Sequence, residues 1–393
     1  MHEPHFWRVS SLKQAVAALP GKGMGISLSR RIVMTLGLSA ALLGAVPMSM
    51  AQPVNTDNLK PAVLSLKASK TLLLDVEQAG KRLVAVGSRG HIVYSDDLGE
   101  SWIQAPAPTR QLLTAVDFVD DRHGWAVGHD SLILHTADAG ETWTVQYRDP
   151  EIDAADEDDE GFGFLEKPLM DVWFRDAQTG FAVGAYGLLL RTDDGGQSWE
   201  DVSFDIDNPD EFHYNALTEI KDSGLFLVGE MGTMYRSADY GETWETLEEM
   251  PYDGSWFGVA STGEPGGVLA WGLRGNVFRS SDFGDSWEQV ELLMPNNGSL
   301  SSTLSGGQLS VDGRLLVVGV GGVVAISDDH GRSFDVNIRS DRVALATATS
   351  LPDGRVLLVG QRGVIKADEA GMSAPGSSAL TLPETAETAE TLE

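Results

Sequence analysis

A single eight-residue pattern occurs six times in this sequence, and it limits what the chain can fold into more than any other feature. The pattern is Ser/Thr-x-Asp-x-Gly-x-Ser/Thr followed by an aromatic residue, and we call it the box. An aspartate accepts backbone N–H groups across a tight turn, and a glycine two residues later takes positive φ without steric cost. The box aspartates are Asp97, Asp138, Asp194, Asp239, Asp282 and Asp329, and the aromatic residues are Trp102, Trp143, Trp199, Trp244, Trp287 and Phe334.

A glycine stands eight residues before each box, three residues ahead of a second glycine in most copies. Gly360 and Gly363 form a seventh pair without a complete box behind it, and Gly128 with Ser131 is the one variant. The first glycines lie 41 to 56 residues apart. This spacing fits one four-stranded propeller blade, whereas a β-helix solenoid uses repeats of roughly 20–30 residues.

The repeats predict an all-β fold, a single seven-bladed β-propeller over residues 52–371 with four-stranded antiparallel blades. In the second repeat we expect short strands at Ala115–Val119, Gly124–Val127, Leu132–His135 and Trp143–Gln146. The box aspartates and tryptophans are predicted to be structural, with the tryptophan rings packed between neighbouring blades.

The last repeat has no outer strand of its own. Asp368–Gly371 is a degenerate box, and residues 372–393 form a Ser/Thr/Glu-rich tail that we expect to be disordered. Ala62–Leu66 is a spare apolar stretch ahead of the first blade. We expect it to pair into the last blade and close the ring, because that would hide two sheet edges.

Residues 1–51 have the pattern of an export signal. Arg30 and Arg31 precede an uncharged run of about 15 residues, and Ser49-Met50-Ala51 supplies small residues for cleavage after Ala51. The run is short for a membrane anchor, which needs ~20 residues. The sequence therefore predicts a periplasmic or secreted protein, with the Sec and twin-arginine routes both open. A complete signal also begins at Met24. Translation from Met24 is therefore an alternative, in which residues 1–23 are a start-site artefact.

Charge and composition exclude several classes of protein. The chain has 28 basic and 58 acidic residues, and loss of residues 1–51 would leave a net charge near −34. Such a surface repels nucleic acid and anionic lipid headgroups. There is no cysteine, which removes disulfides, thiolate metal sites and a cysteine nucleophile. We predict no metal and no cofactor.

An acidic insertion, residues 149–167, follows the second blade. Eight acids stand between Asp149 and Glu160, without a glycine before Gly161. A defined calcium site needs spaced ligands and a turn glycine, so a solvated loop is the favoured interpretation and calcium binding the alternative.

The boxes resemble those of the BNR or Asp-box repeat family. Their combination with Ala-Val-Gly-x-x-Gly strands, as at Ala85–Gly90, is similar to the photosystem II stability/assembly factor branch. The resemblance covers about residues 60–371. It implies an exported seven-bladed propeller that assists the assembly of a membrane complex.

Enzymes also carry this box, so a secreted glycan-active propeller is the alternative function. The Arg-Ile-Pro signature of sialidases is absent, and Arg89, Arg274 and Arg362 occupy one equivalent repeat position, which is no evidence for a catalytic triad. Asp171 with Glu230 stays open as an inverting glycosidase pair. We predict no catalytic residues and a non-catalytic role.

The favoured function is a scaffold or assembly factor that binds a membrane protein or a peptide segment. The Gly-x-x-Gly loops lie opposite the boxes and place arginines on one rim, which suits an acidic or carboxylate-bearing partner. Salt bridges from these arginines to Asp130, Asp171 and Glu230 are the structural alternative. The chain is expected to be a monomer. The predicted partner-binding residues are Arg89, Arg274, Arg362, Asp171, His213, Asn215, Trp256 and Phe257.

Overall fold

The computed structural model describes residues 54–56, 58–150 and 166–372, together with the backbone of residues 379–381. The predicted export segment, most of the acidic insertion and most of the tail lie outside these residues. The described chain forms seven sheets whose successive strands are antiparallel within each blade, and together they make a seven-bladed β-propeller, which confirms the predicted fold.

The strands are numbered β1 to β28 along the chain. The first, innermost strands of the blades are β1 (Leu73–Ala79), β5 (Leu113–Phe118), β9 (Leu169–Phe174), β13 (Tyr214–Ile220), β17 (Trp256–Ser261), β21 (Leu304–Leu309) and β25 (Leu345–Ser350). The second strands are β2 (Arg82–Gly87), β6 (Gly124–Gly128), β10 (Gly180–Gly184), β14 (Gly224–Gly229), β18 (Val268–Gly272), β22 (Leu315–Gly319) and β26 (Val356–Gly360). The third strands are β3 (Ile92–Ser95), β7 (Leu132–Thr136), β11 (Leu189–Thr192), β15 (Met234–Ser237), β19 (Val277–Ser280), β23 (Val323–Ser327) and β27 (Gly363–Ala367). The outer strands are β4 (Ser101–Ala105), β8 (Thr144–Tyr147), β12 (Glu200–Asp201), β16 (Glu245–Thr246), β20 (Glu288–Gln289) and β24 (Asp335–Ile338).

The hydrophobic core is divided among the contacts between blades. Seven apolar clusters occur in the described chain, one at each interface between neighbouring blades. The cluster between blades 7 and 1 joins Leu357 and Val359 to Leu73 and Trp102. Since the last interface is as apolar as the others, the ring is closed by side-chain packing.

Each box aspartate fixes the turn between the third and outer strands. Asp329 Oδ1 accepts hydrogen bonds from the Ser333 backbone N–H (2.9 Å) and the Ser327 hydroxyl (2.8 Å), and its Oδ2 accepts one from the Ser333 hydroxyl (2.7 Å). Burial alone would raise the pKa of Asp329, but these hydrogen bonds outweigh it and lower the pKa to about 2. The other five boxes repeat the pattern, as at Asp97. These hydrogen bonds all lie within the turn, so the box aspartate supports the local backbone.

The box glycines let each blade approach the preceding one. Gly241 has φ +93°, and a Cβ there would lie 2.2 Å from the Phe181 ring of blade 3. The box tryptophans pack against the preceding blade as well. Trp102 is fully buried against blade 7 and Trp143 is buried against blade 1.

The prediction that Ala62–Leu66 completes the last blade is wrong. Blade 7 has three strands in the described chain, and residues 61–65 instead lie along the outer edge of blade 1, where the Ala62 N–H donates to the Ala107 carbonyl (2.9 Å). Strand β28 (Ala379–Thr381) pairs in parallel with β4 on that same edge. Asp368 retains the box function, since its Oδ1 accepts the Met372 N–H at 2.8 Å.

Candidate functional site

The loops between the second and third strands all emerge on one face, which we call the Gly-x-x-Gly face. In an antiparallel meander this face is opposite the box turns and also carries the connections into the next blade. Both glycines of the first loop are required by close contacts. A Cβ on Gly87 would lie 2.4 Å from the Leu72 carbonyl oxygen, and one on Gly90 would lie 2.0 Å from that of Thr109. The two residues between the glycines are the part of each loop that is free to vary.

The three predicted arginines lie exposed on this face. Arg89 and Arg274 adopt the left-handed conformation, with φ of 62° and 59°, directly before the second glycine of their loops. Arg362 is exposed at the equivalent position of blade 7. Within the described chain, none of the three forms an ion pair.

The acids considered as salt-bridge partners have other contacts. Asp130 Oδ2 accepts a hydrogen bond from Gln111 Nε2 (2.6 Å), and Glu230 faces His213, with 3.8 Å between Oε1 and Nδ1. Asp171 accepts two backbone N–H groups. The salt-bridge alternative is therefore wrong for the described residues, and the arginines keep their full hydrogen-bonding capacity for another molecule.

Other exposed cations extend this set into an arc across blades 6, 7 and 1. Ideal Cβ positions on Gly322, Gly363 and Gly90 lie 3.2, 2.7 and 3.3 Å from the Cα atoms of Arg342, Lys70 and Arg110, respectively, so each cation stands beside a Gly-x-x-Gly loop. All are exposed. We define the basic arc as Arg342, Arg362, Lys70, Arg89 and Arg110.

Several half-buried arginines toward the box face form ion pairs between neighbouring blades. Arg236 bridges blades 4 and 5 by contacts to Glu245 (2.8 Å) and Asp285 (2.7 Å), and Arg82 contacts Asp96 (2.6 Å) and Glu141 (3.1 Å). Among the described residues, these arginines are held in ion pairs, whereas none of the five cations of the basic arc forms one.

Asp171 was predicted on the partner-binding face, but it lines the central channel with acids that the sequence analysis did not single out. Its Oδ2 accepts the Leu217 N–H of blade 4 at 2.8 Å. Asp75 accepts the Val116 N–H of blade 2 (2.9 Å) and Asp117 the Phe174 N–H of blade 3 (2.7 Å). These carboxylates therefore connect the inner strands of blades 1 to 4.

Burial raises the pKa values of the channel acids despite these hydrogen bonds. The pKa of Asp75 rises to about 6, that of Asp117 to about 7, and those of Glu77 and Asp171 to about 8. Mutual repulsion of the carboxylates adds to the effect at Glu77, Asp117 and Asp171. The sequence signal for these sites was an acid inside an otherwise apolar inner strand, as in Leu-Leu-Asp-Val.

The remaining predicted residues separate into two environments. Asn215 and Phe257 occupy β-bulges of the inner strands of blades 4 and 5, partly exposed, and Asn215 Nδ2 donates to the Trp256 carbonyl at 2.7 Å. His213 packs edge-on against Tyr186, with ring centroids 4.7 Å apart. Trp256 is fully buried between blades 4 and 5, so its prediction as a partner-binding residue is wrong.

Comparison with known proteins identifies the family. The family model described as photosynthesis system II assembly factor YCF48 matches residues 102–166 and 163–311, more than half of the chain. The chain belongs to the YCF48 family. The photosystem II stability/assembly factor HCF136 of Cyanidioschyzon merolae is 35% identical over 94 residues, which cover 22% of each chain. The photosystem II assembly lipoprotein Ycf48 of Synechococcus is 26% identical over 173 residues, 43% of this chain and 46% of that protein. The chain thus spans less than half the length of these curated relatives.

A solved structure of YCF48 bound to D1 peptide shares the fold. Its TM-score is 0.57 at 17% identity, covering 81% of this chain and 98% of the other. In this member of the YCF48 family, no helix among the described residues has the length and apolar character needed to cross a membrane.

The glycosidase alternative is not favoured. Asp171 is held in the channel by backbone N–H groups, whereas Glu230 lies on the Gly-x-x-Gly face beside His213. The two acids share no partner among the described residues. Across the same part of the chain, no three His, Asp or Glu side chains are grouped closely enough to hold a metal ion.

Proposed function

We propose that this chain is an exported, non-catalytic assembly factor whose basic arc, with Arg274, binds an acidic or carboxylate-bearing segment of a membrane-protein partner. The observation that carries the proposal is the row of exposed arginines without ion pairs on the Gly-x-x-Gly face. Guanidinium groups bind carboxylates through paired hydrogen bonds and give such contacts orientation as well as affinity. The names of the relatives, and the solved structure of YCF48 with a bound D1 peptide, support a role in assembling a membrane complex.

The test is a triple charge reversal, Arg89→Glu with Arg274→Glu and Arg362→Glu. We expect it to abolish capture of the partner by crosslinking in the periplasm, because each substitution replaces attraction by repulsion. Stability should change by no more than about 0.5 kcal/mol per exposed site, measured by thermal unfolding.

The matched control reverses three exposed cations on the box face, Lys81→Glu with Arg122→Glu and Lys221→Glu. It makes the same change in net charge and should leave capture intact. Equal capture by the wild type and the arginine variant would contradict the proposal. Equal loss of capture in the arginine variant and the box-face control would also contradict it, because the loss would then come from the change in net charge.

Export is a separate prediction. We expect the mature protein to begin at Gln52, because the short apolar run ends at the small residues Ser49 and Ala51. Mass spectrometry of the periplasmic fraction measures the N-terminus directly, and a full-length product confined to the cytoplasm would contradict the prediction.

A further inference from the structure

A groove lies on the perimeter between blades 3 and 4, away from the basic arc. It has a volume of about 650 Å³ and is bounded by the Gly-x-x-Gly loop of blade 3 at Tyr186 and Gly187, the end of β12, the connection that follows it and the outer strand β16. Leu188 and Ile206 are buried in its wall, and the indole of Trp244 also lines it. The groove therefore offers apolar surface inside a mainly polar rim.

Phe204 stands at the rim of this groove with 97% of its surface exposed. A single exposed apolar side chain is ordinary on a protein surface. The backbone beside Phe204 is fixed, because the Asp201 carboxylate accepts the Ser203 N–H (3.0 Å) and the Ser203 hydroxyl accepts the Leu189 N–H (2.9 Å). The turn that carries Phe204 is thus fixed beside the apolar wall.

The connection after Phe204 is also fixed by a local contact. Asn208 Nδ2 donates to the Phe212 carbonyl (2.9 Å), and its Oδ1 accepts the Phe212 N–H (3.1 Å). A rim that is already ordered loses little conformational entropy on binding.

The charge of the groove selects among occupants. Four carboxylates line it, against the single cation Lys167. None of the four forms an ion pair with another residue of the described chain, in contrast to the acids near the box-face arginines. A neutral glycan would stack on aromatic rings without needing these charges, whereas a basic segment would neutralise them. The four are Asp201, Asp205, Asp207 and Glu211.

We propose that this groove is a second binding site, which takes an extended peptide segment with an apolar side chain next to a lysine or arginine. The apolar side chain packs between Phe204 and Trp244, and the cation lies among the carboxylates of the rim. With the basic arc at blades 6, 7 and 1, the protein then presents two sites of opposite charge.

The experiment uses four fluorescently labelled peptides of equal length. One contains both Lys and Leu; in the other three, Ser replaces the Lys, Ser replaces the Leu, or Glu replaces the Lys. We expect fluorescence anisotropy to show binding of the Lys–Leu peptide only, weakened by added salt. Phe204→Ala should weaken that binding at least about tenfold, as for an aromatic hot spot. Asp205→Asn with Asp207→Asn should weaken it comparably.

Two controls separate this site from general attraction to an acidic protein. Glu248→Gln with Glu249→Gln removes two exposed charges elsewhere on blade 4 and should leave binding unchanged, as should the triple arginine reversal. Equal binding of all four peptides, undiminished binding by the Phe204 variant, or binding of a neutral oligosaccharide in place of the peptides would overturn the proposal. The triple arginine variant tests the proposed function independently, so failure of one site does not imply failure of the other.

Discussion

Replacing Trp102 by alanine should lower the free energy of unfolding by about 3–5 kcal/mol, the range for removing a large aromatic side chain from a core. The ring is fully buried at the interface of blades 7 and 1, and its Nε1–H donates to the Gly99 carbonyl at 3.2 Å. The substitution therefore opens a cavity at the interface between the last and first blades, where the propeller closes. Urea unfolding followed by circular dichroism measures the change.

Phe204→Ala is the matched control for this prediction. It also deletes an aromatic ring, but from a side chain that is 97% exposed, so stability should stay within about 0.5 kcal/mol of the wild type. A loss below about 1 kcal/mol for the Trp102 variant would contradict the role given to the interface between blades 7 and 1.

The features that could be predicted from the sequence are those that each blade repeats. The box turn is local, because Asp329 contacts only residues within four positions of itself, and six copies make the pattern visible. The loop glycines are also recognisable, since close contacts leave no room for a Cβ at Gly87. Local rules repeated at blade spacing were sufficient to predict the fold.

Ring closure could not be predicted in the same way. Ala62–Leu66 is an apolar stretch that belongs to no repeat. From the sequence, it could have paired with the edge of the last blade or with that of the first. Its observed position depends on the side chain of Gln104, whose Nε2 donates to the Val63 carbonyl (3.1 Å) while its Oε1 accepts the Ser65 N–H (2.7 Å). A contact that occurs once, between distant segments, leaves no periodic signal.

The candidate site was predicted only in part for a related reason. The exposure of the arginines follows from their place in the loop. Trp256 is buried by apolar residues of the neighbouring blade 4, where the Gly232 carbonyl accepts its Nε1–H at 3.1 Å. Asp171 has the same limitation, since its contact with Leu217 spans two blades.

The channel acids should make the protein more stable at pH 5 than at pH 8. A carboxyl group whose pKa is raised by folding contributes stability below its unfolded pKa, near 3.8 for Asp, and loses it as the pH rises through the folded value. For the channel acids, these folded values run from about 6 at Asp75 to about 8 at Glu77 and Asp171. Stability should therefore decline between pH 4 and pH 8, measured as a falling melting temperature.

Asp171→Asn tests whether the channel causes this decline. The amide keeps one oxygen acceptor for the backbone of Val172 or Leu217 but carries no charge at any pH. Loss of the other bond should cost about 1 kcal/mol throughout. The difference in stability between pH 5 and pH 8 should shrink by about 1–2 kcal/mol, less than the full linkage value because Asp171 is partly exposed to solvent.

Two further substitutions isolate the sign of the effect. Glu248→Gln removes one exposed charge and should leave the pH profile parallel to that of the wild type, which corrects for the high net negative charge. Asp329→Asn acts in the opposite direction, because the pKa of Asp329 is lowered to about 2 and its contribution is present above pH 4 and lost as the pH falls toward 2. An Asp171 variant whose profile runs parallel to the wild type would show that the channel carboxylates do not set the pH dependence.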